Sequence, residues 1–224
     1  MNIKFYTELI LLIVLGAATS LSLPPLNYFL INFFTFTLLF LFIIKKSKKY
    51  KNNKIFFVYG WLFGFGYFFS NLYWISISLT FDESFKYLIP LTIFLIPSFL
   101  AIFYGLIFYF FIIFKPKKII SSFLYFSLLF GMLEFLRGNI LTGFPWNFVA
   151  YSFSNQLEIL SILSIIGTYS FNLFCISLFI SPALFILKES KKDIFVGNFF
   201  FVVIIICYFY GSFQKIKFNN LDKN

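Results

Sequence analysis

Seven long apolar runs, separated by lysine clusters or short turns, leave this chain few ways to fold. They cover approximately Phe5–Leu23, Tyr28–Ile44, Ile55–Leu79, Tyr87–Phe114, Ile119–Leu136, Leu160–Leu187 and Ile194–Gly211. A membrane-crossing helix needs about 20 apolar residues, so each run is expected to be one span. Charged residues make up 12% of the 224-residue chain and apolar residues 61%, whereas a soluble domain carries roughly 25% charged residues. No single core could hide 40 Phe together with this much Ile and Leu. The expected fold is all-α, a polytopic transmembrane helix bundle of about seven spans over residues 1–211. Residues 212–224 read as a polar tail, far short of the roughly 40 residues that independent folding needs.

The lysines set the orientation. If Lys4, the KKSKKYKNNK loop, the KPKK turn and the KESKK loop face the cytoplasm, 13 of the 18 Lys and Arg lie there, as the positive-inside bias requires. Lys86, Arg137, Lys215, Lys217 and Lys223 fall on the other side. That alternation needs an odd number of spans, an N-terminus inside and a C-terminus outside. The first run, with Lys4, LILLIVL and small residues at Gly16–Ser20, has signal-peptide character. A second run follows almost at once, so the first is expected to stay as an uncleaved helix. The Pro24-Pro25 pair makes a sharp, uncharged turn between them, since proline donates no amide hydrogen.

Several function classes drop out. A net charge of +10 would suit nucleic acid, but the lysines sit in loops between spans, so no nucleic-acid partner is expected. Cys175 and Cys207 lie inside apolar runs without metal-ligand spacing, and the chain has no His. They read as small packing residues, with no metal or cofactor expected.

Two places carry polar groups at membrane depth, where such groups are costly and turn toward protein or water. In the third run Gly60, Gly64, Tyr67, Asn71, Trp74 and Ser78 recur at steps of four and three, one face of a helix. Gly60 and Gly64 fit a helix–helix seam, while Asn71 and Trp74 suit either that seam or a cavity. Thr168, Asn172 and Cys175 make a weaker stripe in the sixth run. The second place is LEFLRGNILTGFPWNFVAYS, Leu133–Ser152. Glu134 and Arg137 share a helix face, as an ion pair that closes the helix or as a lipid contact through the planar Arg donors. Phe144, Pro145, Trp146 and Tyr151 follow in a stretch too irregular to be a span. It fits an interfacial aromatic segment or a re-entrant loop lining a cavity mouth.

This segment resembles the one before the sixth span in apolipoprotein N-acyltransferases, where E-x-x-R-G, T-G-F-P-W and G/A-Y-S recur in order. LSLPPLNYF at Leu21–Phe29 is similar to that family's first periplasmic turn. GWLFGFGYFFSNLYWISISL at Gly60–Leu79 is similar to its third span, and Gly167–Asn172 to a later Gly-rich helical start. The resemblance implies a multi-pass protein of the bacterial inner membrane that acts in lipoprotein maturation. Such enzymes move an acyl chain from a phospholipid to the N-terminal amine of diacylglyceryl-cysteine on an apolipoprotein. A Glu–Lys–Cys triad in a periplasmic nitrilase-like domain does this through a thioester, splitting one transfer into two steps.

The sequence departs from that pattern at Asn224, where the nitrilase-like domain is expected to begin. None of the triad maps here, and a thiolate is disfavoured in the apolar settings of Cys175 and Cys207. The chain alone is therefore expected to be catalytically silent. It would serve phospholipid and apolipoprotein delivery, and a separate nitrilase-like chain would dock outside if the enzyme is split. The competing readings are a small transporter, which needs polar groups converging at mid-membrane, and a structural membrane subunit.

Overall fold

In hydrocarbon every backbone N–H and C=O must be bonded within its own segment. Accordingly, every regular element among the described residues is helical. The computed structural model describes residues 3–50, 52–140 and 143–221. Thr142 of the T-G-F-P-W motif, Lys51, the Lys4 side chain, Lys223 and Asn224 lie outside the described residues. The helices are α1 (Ile3–Ser20), α2 (Ile31–Ser47), α3 (Asn53–Asn71), α4 (Ile75–Ser78), α5 (Ile89–Ile113), α6 (Ile119–Asn139), α7 (Leu157–Leu160), α8 (Leu163–Ile180), α9 (Pro182–Ile186) and α10 (Lys191–Leu221). Glu83–Leu88 and Val149–Phe153 are 3-10 turns.

Among the described residues, four stretches are long and apolar enough to cross a membrane: Glu83–Ile113, Ile119–Asn139, Leu163–Ile186 and Lys191–Asn220. Phe5–Ser20 is a shorter apolar helix. The helices α5, α3, α1, α2, α8 and α6 pack in that order and close into a ring, with α10 along one side. Close approach of α3 to both neighbours depends on glycine. A Cβ on Gly66 would stand 2.1 Å from the Ile13 carbonyl oxygen of α1. One on Gly60 would stand 2.3 Å from the Tyr104 carbonyl oxygen of α5, bearing out the expected seam.

Aromatic rings fill the centre of the ring. Phe36 of α2 meets Phe63 of α3 at 6.1 Å and Phe130 of α6 at 5.8 Å, both edge-to-face. Tyr104 of α5 meets Phe130 at 5.3 Å and 88°. Such pairs add about 0.5–1.5 kcal/mol each beyond their burial. In this chain the aromatic bias has become the core.

Several sequence expectations shift. The third run breaks after Asn71, where the Leu72 backbone leaves the helical region, and resumes as the short α4. Asn competes for backbone hydrogen bonds and favours helix ends, so Trp74 and Ser78 leave the stripe that Gly60, Gly64 and Tyr67 occupy. Gly167 (φ 75°, ψ 167°) kinks the sixth run, and Pro182 opens α9. The residues after Gly211 are helical as far as Leu221. At 1.5 Å per residue α10 is about 46 Å long, longer than the roughly 30 Å hydrocarbon layer.

Glu8, near the start of the first run, forms an ion pair through α1 with Lys46 of α2, both side chains mostly buried. Lys46 also sits over the Phe42 and Tyr50 rings, at 5.4 and 5.5 Å. This pair lies at the opposite end of the bundle from Glu134 and Arg137.

Candidate functional site

The last turn of α6 carries Glu134 and Arg137 three residues apart, and they form the expected ion pair. Both are buried, and the Arg137 side chain is 0% exposed. Beyond Asn139 the chain doubles back. Gly143 N–H donates to the Ile140 carbonyl at 2.9 Å and Phe144 N–H to the Arg137 carbonyl at 3.1 Å. Gly143 takes φ 72°, and a Cβ there would lie 2.5 Å from the Gly138 oxygen. Only glycine meets both demands.

This reversal brings the loop carbonyls to the guanidinium. Arg137 Nη1 donates to the oxygens of Phe144 (2.6 Å) and Trp146 (3.0 Å), while Nη2 donates to Glu134. Its Cζ lies between the rings of Phe68 at 5.3 Å and Phe148 at 5.2 Å. Desolvated cation–π contacts of this kind contribute about 2 kcal/mol. Two polar atoms of the pair stay without a partner among the described residues, Arg137 Nε and Glu134 Oε1.

Two asparagines extend the construction. Asn147 adopts φ 64°, a left-handed conformation that Asn tolerates, and its carbonyl accepts from Tyr67 Oη at 2.6 Å. Asn172 Oδ1 of α8 accepts from Ala150 N–H at 3.0 Å. The loop is thus held by α3, α6 and α8 together.

Beside the loop lies a cavity of about 680 Å³, a size typical of ligand sites. Its wall comes from three distant stretches: the α1–α2 turn with Pro24 and Pro25, the end of α3 with Asn71 and Trp74, and the loop with Trp146, Asn147 and Tyr151. Ser154 Oγ donates to Asn27 Oδ1 at 2.6 Å and ties the first stretch to the third. Among the described residues, no Asp, Glu, Lys or Arg lines this cavity. Burial raises the pKa of Tyr151 above its usual value, with Tyr169 adding to the effect, so its phenol is a neutral donor.

Of the residues singled out in the sequence, Asn71, Trp74, Trp146 and Tyr151 meet at this cavity. Phe144 lines a second, apolar cavity beside α5, which Arg137 also borders. Pro145 is exposed between the two. Arg137 is enclosed and three of its donations are committed, so it holds the loop and presents no open face to a phosphate. Sequence reasoning did not single out Asn147, Asn27 or Tyr67 as loop-holding groups. The signal available was Asn in a Gly- and Pro-rich stretch, where left-handed backbone is common. No group of three or more His, Cys, Asp or Glu converges as a metal site among the described residues, and both cysteines are buried.

The family model described as apolipoprotein N-acyltransferase N-terminal domain matches residues 15–179. This range holds all three stretches of the cavity wall. The chain belongs to the apolipoprotein N-acyltransferase family. It is 36% identical over 183 residues to the apolipoprotein N-acyltransferase of Rhizobium etli, covering 79% of this chain and 34% of that protein. The Rhodopseudomonas palustris enzyme of the same name is 34% identical, with 79% and 33% covered. For the Rickettsia prowazekii enzyme the figures are 36% identity, 73% and 32%. The chain thus spans about a third of the length of the curated relatives it matches. α10 lies beyond the range of the family model.

Proposed function

We propose that this chain is the membrane part of an apolipoprotein N-acyltransferase, which presents lipid-bearing substrates at the outer face of the bacterial inner membrane. The acyl donor is a phospholipid and the acceptor the N-terminal amine of a diacylglyceryl-cysteinyl apolipoprotein. The chemistry itself belongs to a nitrilase-like unit seated on the outer face, as a separate chain or as a continuation of this one. The observation that carries the reading is the meeting of three family-like stretches, 21–29, 60–79 and 133–152, around one cavity.

In this arrangement α1, α2 and α3 cross the membrane together with the four longer stretches, giving seven crossings. The lysine clusters lie inside, and the cavity and the end of α10 lie outside. A transporter would gather ionisable groups at mid-membrane. Here Glu8–Lys46 and Glu134–Arg137 pair at opposite ends of the bundle, which favours the acyltransferase reading.

The test places the purified chain in phospholipid nanodiscs and adds a diacylglyceryl-cysteinyl peptide. Saturable binding that changes tryptophan fluorescence and is lost in Trp146→Leu and Asn71→Leu is expected. Binding indifferent to both substitutions sinks the reading. Co-expression with the nitrilase-like part of the Rhizobium etli enzyme then reports on catalysis, through N-acylated lipoprotein in an acyltransferase-deficient strain. Reporter fusions behind α10 check the orientation.

A further inference from the structure

Three lysine-rich stretches, 45–50, 115–118 and 188–192, leave the bundle at the end opposite the large cavity. Two hydrogen bonds draw them together. Lys115 Nζ donates to Ser47 Oγ at 2.6 Å, across 68 residues of chain. The Ile119 N–H donates to Glu189 Oε2 at 3.3 Å, across 70 residues. The turn between α5 and α6 therefore sits between the other two stretches.

This convergence gathers positive charge without matching acids. Partial burial, and then the charge of Lys48 next to Ser47, hold the Lys115 ammonium below its usual pKa. Among the described residues neither Lys48 nor Lys115 forms an ion pair. The acids at this end are engaged elsewhere. Glu8 pairs with Lys46, Glu189 accepts from Ile119, and Asp193 accepts from the N–H groups of Glu189 and Ser190. A like charge beside a half-buried ammonium disfavours it, and an anion set between the two reverses that effect. Lys115 has three donors, of which the one toward Ser47 is spent among the described residues.

The neighbouring residues select the kind of anion. Phe114, immediately before Lys115, is 67% exposed and Ile113 is 40% exposed, so open ammonium groups and open apolar surface adjoin. An inorganic anion uses only the first. An anionic phospholipid uses both, with its phosphate on the lysines and an acyl chain along the end of α5. A zwitterionic lipid brings an ammonium of its own, which the lysines repel. Basic pockets between helices at a cytoplasmic face take anionic headgroups in this way.

We propose that Lys48 and Lys115 hold the phosphate of an anionic phospholipid from the leaflet at this end of the bundle. This lipid is no acyl donor, because it lies at the far end from the large cavity. Its site stands whether or not the acyl-transfer reading does. By bridging the α2–α3 and α5–α6 connections it steadies the lysine-rich end of the ring.

The experiment follows lipid retention by native mass spectrometry of the whole chain in detergent, with phosphatidylglycerol or phosphatidylethanolamine added. Phosphatidylglycerol is expected to bind about tenfold more tightly, the equivalent of one charge-assisted hydrogen bond. Lys115→Gln keeps a donor for Ser47 but loses the charge, and should weaken phosphatidylglycerol about tenfold. Lys191→Gln removes an equal charge at the same end from outside the proposed contact, and should change binding less than about twofold, since exposed charges are screened. Wild type supplies an independent reading: phosphatidylglycerol should shield Lys48 and Lys115 from an amine-reactive label more than it shields Lys191. Equal binding of the two lipids, equal effects of Lys115→Gln and Lys191→Gln, or uniform shielding overturns the site and leaves diffuse surface attraction. Inorganic phosphate that displaces the lipid at equal concentration overturns the choice of a lipid as occupant.

Discussion

Tyr67, one turn before the end of α3, donates its hydroxyl hydrogen to the carbonyl of Asn147, 80 residues later in the chain, at 2.6 Å. The bond joins two walls of the large cavity, because the end of α3 supplies Asn71 and Trp74 and the loop supplies Trp146 and Asn147. Tyr67→Phe keeps the ring against Phe68 and Tyr104 and removes the donor alone. A typical hydrogen bond contributes about 1 kcal/mol net. The variant should therefore fold, melt slightly earlier and bind the lipopeptide about fivefold more weakly. Unchanged affinity in nanodisc titrations would mean that the cavity wall does not rely on this tie.

Glu134 and Arg137 are better tested as a pair than singly. Arg137→Met leaves a carboxylate buried without its counter-charge, a change that costs about 3–5 kcal/mol. Adding Glu134→Leu removes the orphan charge and should restore most of the thermal stability, because a buried pair contributes little over apolar residues of similar volume. Binding should behave differently. In the double variant the carbonyls of Phe144 and Trp146 still lack their donor, so the loop stays loose and lipopeptide affinity stays low. Recovery of stability and binding together in a melting and titration series would show that the pair serves the helix end alone.

Gly66→Ala sets two effects against each other. Alanine in a helix is favoured over glycine by about 1 kcal/mol. Its Cβ, however, would stand 2.1 Å from the Ile13 carbonyl oxygen, a backbone atom that cannot swing aside. Overpacking of this kind costs about 1–3 kcal/mol, so the clash wins and α1 separates from α3. A lower melting temperature in detergent is the expected result, and a rise would contradict the packing of these helices.

The pairing of Glu134 with Arg137 was legible in the sequence because three residues on a helix fix it locally. The two carbonyls that complete the Arg137 shell were not, since they arrive through the turn at Gly143, whose geometry is set by contact with Gly138. Membership of Asn71 and Trp74 in one site was read from a helical stripe that ends at Asn71. Trp74 still reaches the cavity, but through the turn after α3. Glu8 escaped notice because a single acid in an apolar run says nothing of its partner until α1 and α2 are side by side. The length of α10 was hidden for a similar reason. Polar residues after Gly211 look like a tail, yet they continue a helix of 31 residues that packs on α7.

That last contact should respond to pH. A Cβ on Gly211 would stand 1.8 Å from the Glu158 carbonyl oxygen, so α10 crosses α7 at very short range. Just beyond it Lys215 donates to Glu158 at 2.7 Å. This hydrogen bond is the main cause holding the Glu158 carboxyl below its usual pKa. A carboxyl depressed in the folded state adds stability that is fully present above its unfolded pKa and is lost as pH falls through the folded one. The pair is solvent-exposed, so salt should weaken it as well. Hydrogen exchange in the last turns of α10 should therefore speed up, relative to its intrinsic rate, as pH drops below the carboxylate range near 4.3. Lys215→Ala should remove that dependence and leave exchange in α6 unchanged. If wild type and Lys215→Ala exchange alike at every pH, the C-terminal end of α10 is held by the Gly211 crossing alone.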